Sequence, residues 1–387
     1  MVRTLRAQEE LMLLVAGTRE RRAQTAGRVR ELCEQMPWDA LLADLAHQGL
    51  VPLLGGRLLE VPGLRAPADF IRAVRDHTEA SRKSGALMEL ATLRVATALE
   101  ASGVPNVPLK GPLLARALHG DPGMRQSRDV DVLVERGNLE LAAGALGPLG
   151  WRPEDGPAAD PILHVRLVHD DALPDIELHW RVHWYETEFG ARALARAQPG
   201  PTGVRRLRPV DDLAALMLYH ARDGFAGLRH PSDIAAWWDA QDRGSGPLLD
   251  PIVRAYPSLT RALVAGATLL EGLVGVSAAG LVEPPARLPW GPRAAVALAN
   301  PLMRGAPAQI TAEVSLVDGL LAPRGQRVAF LRRRAMPSGP QLPASAVGRP
   351  IAVARVEHSL RLLRRYALAL VRSRPRLPAR PQNEGEN

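Results

Sequence analysis

The chain has 387 residues, a formal net charge of +8, 46% hydrophobic but only 4% aromatic residues, 34 glycines, 34 prolines and one cysteine. Its length exceeds the usual single core, so two or three subdomains are expected. The lone Cys33 excludes an intramolecular disulfide framework and a cysteine-based zinc site. No apolar run approaches the roughly 20 residues of a membrane span, and the first thirty residues lack the apolar stretch of a secretory signal, which points to the cytoplasm.

Residues 1–103 read as an N-terminal helical region. "TLRAQEELMLLVAG", "PWDALLADLAHQGL" and the long "PADFIRAVRDHTEASRKSGALMELATLRVATALEASG" repeat apolar residues every three or four positions, with Pro37, Pro52, Pro62 and Pro67 at the joins. Cys33 falls in an amphipathic stretch and reads as a small buried hydrophobe. At Val104 the period changes. "VPNVPLK" reads as a strand ending at Gly111, "PLLARALH" as a helix opened by Pro112, "DVDVLV" as a second strand and "ERGNLELAAGALGPLG" as a helix closing on Gly150. "ILHVRLVH" and "DIELHWRVHW" then alternate as two further strands. This segment, 104–185, reads as an α+β unit of strands and short helices between two helical regions. Residues 186–335 return to helix, and 336–387 combine a basic amphipathic helix, "IAVARVEHSLRLLRRYALALV", with a polar tail expected to be disordered.

Charge is unevenly placed. Between Arg324 and Arg380 fourteen arginines face a single acid, Glu357, which suits an anionic partner such as nucleic acid, a membrane surface or an acidic protein, and equally a solvated face. Lysine occurs only at Lys83 and Lys110, so a lysine beside a glycine at a strand-to-helix turn is compositionally unexpected.

Asp129 and Asp131, two apart on a strand, point to one face and repel each other, a repulsion that a divalent cation relieves. Mg²⁺ (or Mn²⁺) takes one or two protein carboxylates plus substrate phosphates. A third acid completes most such sites, and Glu177, mid-strand between Ile176 and Leu178, is the best candidate, provided its strand lies beside "DVDVLV". Gly111 and the helix start after it suit a phosphate, Lys110 adds a point charge, and Arg125 and Arg128 in the turn before the aspartates are further candidates for phosphate oxygens. Each piece alone also fits a plain role: D-x-D a solvated strand edge, Glu177 an arginine partner, Lys110-Gly111 a turn. The ordered set favours nucleotide chemistry.

"LKG…RQSRDVDVLV…IELHW" resembles the nucleotidyltransferases of the DNA polymerase beta superfamily, most closely a bacterial branch with "LKG", "R-x-x-x-D-x-D-x-L-V" and "E-L-H-W" signatures. The resemblance implies a small mixed β-sheet flanked by helices, carrying metal-dependent transfer of a nucleoside monophosphate from an NTP, such as ATP, to an acceptor, with pyrophosphate released. By that match Gly111 is the glycine of the phosphate turn, Asp129 and Asp131 are the paired metal ligands, Glu177 is the third carboxylate and Asp233, in "DIAAWW", is a further matching acid. Lys110-Gly111-Pro112 replaces the superfamily's Gly-Ser or Gly-Gly, which moves the serine's grip on phosphate to Lys110. "HGDPGMRQSR" is an insertion before the second strand.

His164, His169, His179 and His183 do not stand at zinc-ligand spacing and read as structural, with His179 placed to orient Glu177 from the same strand face. Trp180, Trp184, Trp237 and Trp238 fit core positions better than base stacking, and Asp233 fits a helix cap as readily as a nucleotide contact. Two other functions remain open on the residues: a D-x-D glycosyltransferase using a nucleotide-sugar, which would need an α/β half before Val104, and a non-catalytic nucleotidyltransferase-like binding module.

Overall fold

A computed structural model describes residues 6–154, 163–171, 173–241 and 247–328. The basic amphipathic helix and tail expected over 336–387 lie outside these residues.

The N-terminal part is helical, as its periodicity requires: α1 (Ala7–Ala16), α2 (Arg19–Gln24), α3 (Ala26–Cys33), α4 (Trp38–His47), a π-helical turn at Val51–Gly55, α5 (Gly56–Leu59) and the 34-residue α6 (Ala68–Ala101). Residues 6–105 contain no strand among those described, so no α/β half precedes the D-x-D segment and the glycosyltransferase reading loses its scaffold.

The sheet follows. β1 (Asn106–Pro108) leads into α7 (Pro112–His119), then β2 (Asp129–Val134), α8 (Leu139–Leu146), β3 (Trp151–Pro153), β4 (His164–His169) and β5 (Asp175–His179). Its order is β1-β2-β5-β4-β3, with β2 and β5 parallel and all other pairs antiparallel. The fold is therefore α+β with a mixed five-stranded sheet. Two boundaries differ from the periodicity. The alternation of "DIELHWRVHW" continues to Trp184, but pairing ends at His179, and the three-residue edge strand β3 was too short to signal itself.

After the sheet come α9 (Phe189–Ala195), the two-stranded ribbon of β6 (Gln198–Pro199) and β7 (Arg205–Arg206), α10 (Pro209–Arg222), α11 (Arg229–Ala240), α12 (Asp250–Ala255), α13 (Thr260–Val274), α14 (Ala278–Leu281), α15 (Trp290–Leu298) and α16 (Pro307–Leu321). Tyr256-Pro257 separates α12 from α13, where the periodicity alone suggested one helix. No helix of the described residues is long and apolar enough to cross a membrane.

Alternation along β2 and β5 divides the side chains between two cores. Val130, Val132, Val134, Ile176, Leu178 and Leu167 face α6 and α8 in the smaller one. The larger gathers Leu11 to Ala16 of α1 with α10, α11 and α13, so the first helices and those after the sheet share one apolar interior. Cys33 is buried there, as are Trp237 and Trp238.

Candidate functional site

The turn after β1 carries the first elements of the site. Leu109 N–H donates to Asp131 C=O (3.0 Å), which keeps β1 against β2 up to the turn. Gly111 then takes φ 88°, ψ −149°, a region open essentially to glycine alone, and Pro112 starts α7 with its fixed φ. A Cβ at Gly111 would meet only Ser127 Oγ at 3.5 Å, so backbone conformation rather than space requires glycine.

The insertion before β2 is anchored firmly. Asp121 accepts from Gly123 N–H (2.8 Å) and pairs with Arg82 of α6 (2.5 Å), while Ser81 Oγ–H donates to Gly123 C=O (2.6 Å). Gly85 and Gly123 permit this approach: a Cβ on either would come within 2.8 Å of opposing backbone. The chain therefore enters β2 from a fixed position against α6.

Register brings the acids together. Parallel pairing sets Asp131 opposite Glu177 and Asp129 opposite Asp175. Asp129, Asp131 and Glu177 each offer a carboxylate oxygen, and the three lie within 4.8 Å of one another. Asp175 turns instead to Arg166, an exposed pair at 2.5 Å.

The surroundings differ from acid to acid. Asp131 is almost wholly buried, and Lys110 Nζ stands 3.1 Å and His179 Nε2 2.9 Å from its Oδ1. Burial pushes the Asp131 carboxyl up, but Lys110 and His179 outweigh it and hold the group below the usual carboxylate range. His179 Nε2 is also 3.1 Å from Glu177 Oε2, and because ionised carboxylates only accept, its Nε2 must carry the proton in this geometry. Burial raises Glu177 too, and the His179 hydrogen bond overcomes it, so this carboxyl lies low. Asp129 has no ion pair among the described residues, and burial together with the Asp131 charge moves its carboxyl up. Half-buried Asp129 beside two ionised acids is where a hard cation relieves most repulsion. The donor set of three carboxylates fits a divalent ion of the Mg²⁺ kind.

Helix α10 borders the site beside Lys110. Tyr219 is fully buried, with Lys110 Nζ 5.5 Å and the Arg222 guanidinium 4.8 Å from its ring centre. Burial works against the Arg222 charge, yet Asp223, Tyr219 and the site acids keep it favoured. These α10 residues were missed at the sequence level, because on a helix read by periodicity they are indistinguishable from ordinary core and flank positions.

The structure corrects the place of Arg125. It is buried, its Nε donates to Asp233 Oδ2 (2.8 Å) and its Nη1 approaches Ser127 Oγ (3.4 Å). His119 Nε2 is 3.1 Å from Asp233 Oδ1. Asp233 is thus neither a helix cap nor open to solvent. Burial alone would raise its carboxyl, but Arg125 and His119 bring it below the ordinary range, and the trio locks α11 to α7 and to the connection entering β2. Arg128 is exposed at the mouth of the same connection.

Among the histidines, the reading from spacing also needs correction. His164 and His179 are cross-strand partners on β4 and β5, and His164, Glu177 and His179 offer ligand atoms within 4.8 Å of one another. Fifteen residues of sequence separation concealed a contact that register creates. His183 is fully buried with its ring tilted against that of Tyr185 (4.5 Å between ring centres), and His169 Nε2 meets Leu149 C=O (3.1 Å). The tryptophans are engaged in packing: Trp180 lies between the Arg136 and Arg181 guanidiniums, and Trp184 Nε1–H donates to Asp318 (2.7 Å).

No curated protein and no solved structure matches the chain. A family model for an uncharacterised nucleotidyltransferase matches residues 34–275, which include the turn, all three acids and Asp233. With well over half of its length matched, and the matched part holding the whole acidic face, the chain belongs to this uncharacterised nucleotidyltransferase family.

Proposed function

We propose that the protein is a metal-dependent nucleotidyltransferase of the DNA polymerase beta type, transferring a nucleoside monophosphate from an NTP to an acceptor hydroxyl. The convergence of Asp129, Asp131 and Glu177 beside the Gly111 turn carries this reading. In it the three carboxylates hold the divalent cation, Mg²⁺ or Mn²⁺, which when bound supplies charge neutralisation of the triphosphate. Gly111 lets the phosphates approach the backbone at the start of α7, and the first amides of that helix face them.

Lys110 has two partners to choose between. Without nucleotide its ammonium serves as the counter-charge of Asp131. With the carboxylates holding a cation, Lys110 would be released from that task and could reach the triphosphate on its flexible stem. Arg128 is free to follow from the exposed connection, whereas Arg125 acts at one remove, by fixing the chain before β2. Glu177, kept ionised by His179, accepts the proton of the acceptor hydroxyl as its oxygen bonds to the α-phosphorus. The bond from that phosphorus to the bridging oxygen breaks, and pyrophosphate leaves.

Pyrophosphate release from NTP with Mg²⁺ tests the proposal. Asp129→Ala combined with Asp131→Ala should abolish it, and unchanged release would overturn the assignment. A purely binding module would show Mg²⁺-dependent NTP binding or none, but no turnover with any acceptor class, whether peptide, small molecule or RNA end.

A further inference from the structure

The cross-strand histidines are only partly explained by orienting an acid. Antiparallel pairing sets His164 opposite His179 and Arg166 opposite Glu177, so both imidazoles and the Glu177 carboxylate stand on one face of the sheet. His179 Nε2 lies 3.1 Å from Glu177 Oε2, and His164 Nε2 lies 3.7 Å from Glu177 Oε1. Both rings thus present the same nitrogen to the same carboxylate. The Nδ1 atoms are buried with no hydrogen-bond partner among the described residues, so each ring is oriented from its Nε2 side.

For His179 alone, one Nε2 proton facing two carboxylates would suffice as an orienting hydrogen bond. His164 is superfluous to that task, and it is turned to the other oxygen of Glu177. Ligands about 2.0–2.1 Å from a tetrahedrally held ion stand roughly 3.3 Å apart. One ligand atom from each of the three residues lies within 4.8 Å of the others, so small side-chain adjustments bring them to that spacing.

We propose that His164, His179 and Glu177 form a second cation site, adjoining the all-carboxylate site and selective for a zinc-class ion over Mg²⁺, the ion taking the place of the proton that His179 Nε2 carries in the metal-free geometry. The selectivity follows from ligand type, since imidazole nitrogen suits zinc, iron and nickel whereas Mg²⁺ takes oxygen. Three protein ligands leave a fourth position open, as in zinc sites that meet a substrate or water rather than purely structural ones. The site shares Glu177 with the nucleotidyltransferase reading but needs no nucleotide.

Cobalt substitution tests this without any turnover. The full chain, stripped of metal and titrated with Co²⁺, should develop the intense visible bands of low-coordinate, nitrogen-bound cobalt. Zn²⁺ should bleach them and excess Mg²⁺ should not. His164 is a third exposed, so His164→Ala should fold, lose the bands and bind Zn²⁺ at least tenfold more weakly. Asp129→Asn should keep the bands. Absence of nitrogen-bound cobalt, or bands unchanged in a folded His164→Ala variant, would overturn the proposal and leave two imidazoles that merely pack together beside Glu177. Absence of pyrophosphate release by the unaltered chain, with the bands present, would count against the nucleotidyltransferase reading alone.

Discussion

The two faces of the β2–β5 pair are built from alternate residues of the same segments, yet they have opposite physical characters. On one, Val130, Val132, Ile176 and Leu178 are at most 2% exposed and pack on α6 and α8. On the other, Asp131 and Glu177 are partnered by Lys110 and His179, whereas Asp129 adds a carboxylate that burial and the Asp131 charge disfavour unless a cation is present. Apolar burial on the first face contributes the free energy that holds the second in place. The lesson is that Asp129 is a stability liability retained on a strong scaffold, which makes the two faces separable by substitution there.

The largest separation is expected from Asp129→Asn, which removes the one site acid whose ionised form the fold disfavours. Pyrophosphate release should fall by more than the roughly 100-fold that loss of an outer-shell partner costs, while far-UV circular dichroism and the unfolding midpoint are kept. A large loss of stability would break the division between faces. Asp233→Ala comes next. It leaves the buried Arg125 charge without its carboxylate, which should cost about 3–5 kcal/mol in denaturant unfolding. It tests whether the polar half needs a buried ionic lock where the apolar half needs none.

Leu178→Ala probes the opposite face. Deleting a fully buried leucine should cost about 2–5 kcal/mol, yet Mg²⁺-dependent NTP binding by the folded fraction should persist. Loss of binding without loss of stability would invert the comparison.

The smallest effect concerns pH. The Asp212 carboxyl on α10 is pushed up to about 7 by burial, with Arg206 opposing and Asp233 and Asp211 reinforcing. A carboxyl raised in the folded state adds stability that is fully present below the unfolded value, about 4, and is lost as pH rises through about 7. The depressed carboxyl of Asp233 works the other way, adding stability above the unfolded value that is lost as pH falls through its folded one. Relative to wild type, Asp212→Asn should therefore gain a few degrees in melting temperature on going from pH 5 to pH 8. Parallel melting curves for both proteins would remove Asp212 from the account.

Much of this was legible in the residues. Lys110-Gly111-Pro112 announced a turn into a helix because glycine and proline constrain φ locally, and the D-x-D spacing placed two acids on one side because a strand's side chains alternate whatever lies beside it. The partners were not legible. Arg125 read as a phosphate ligand from its place in the turn, and only the packing of α11 on α7 brings Asp233 to it across 108 residues. His164 read as structural, since nothing near it in sequence could share a ligand.

The amino-acid sequence by itself determined the helical character of residues 6–101, the α+β segment after them, and the face on which each strand residue stands. These depend on neighbours a few positions away, through backbone sterics and the periods of helix and strand. Tertiary structure alone decided that β5 lies parallel to β2 with Glu177 opposite Asp131, that Lys110 pairs with Asp131, and that His164 joins His179. Register and helix docking are set by burial summed over the two apolar cores, a quantity no short stretch of chain contains.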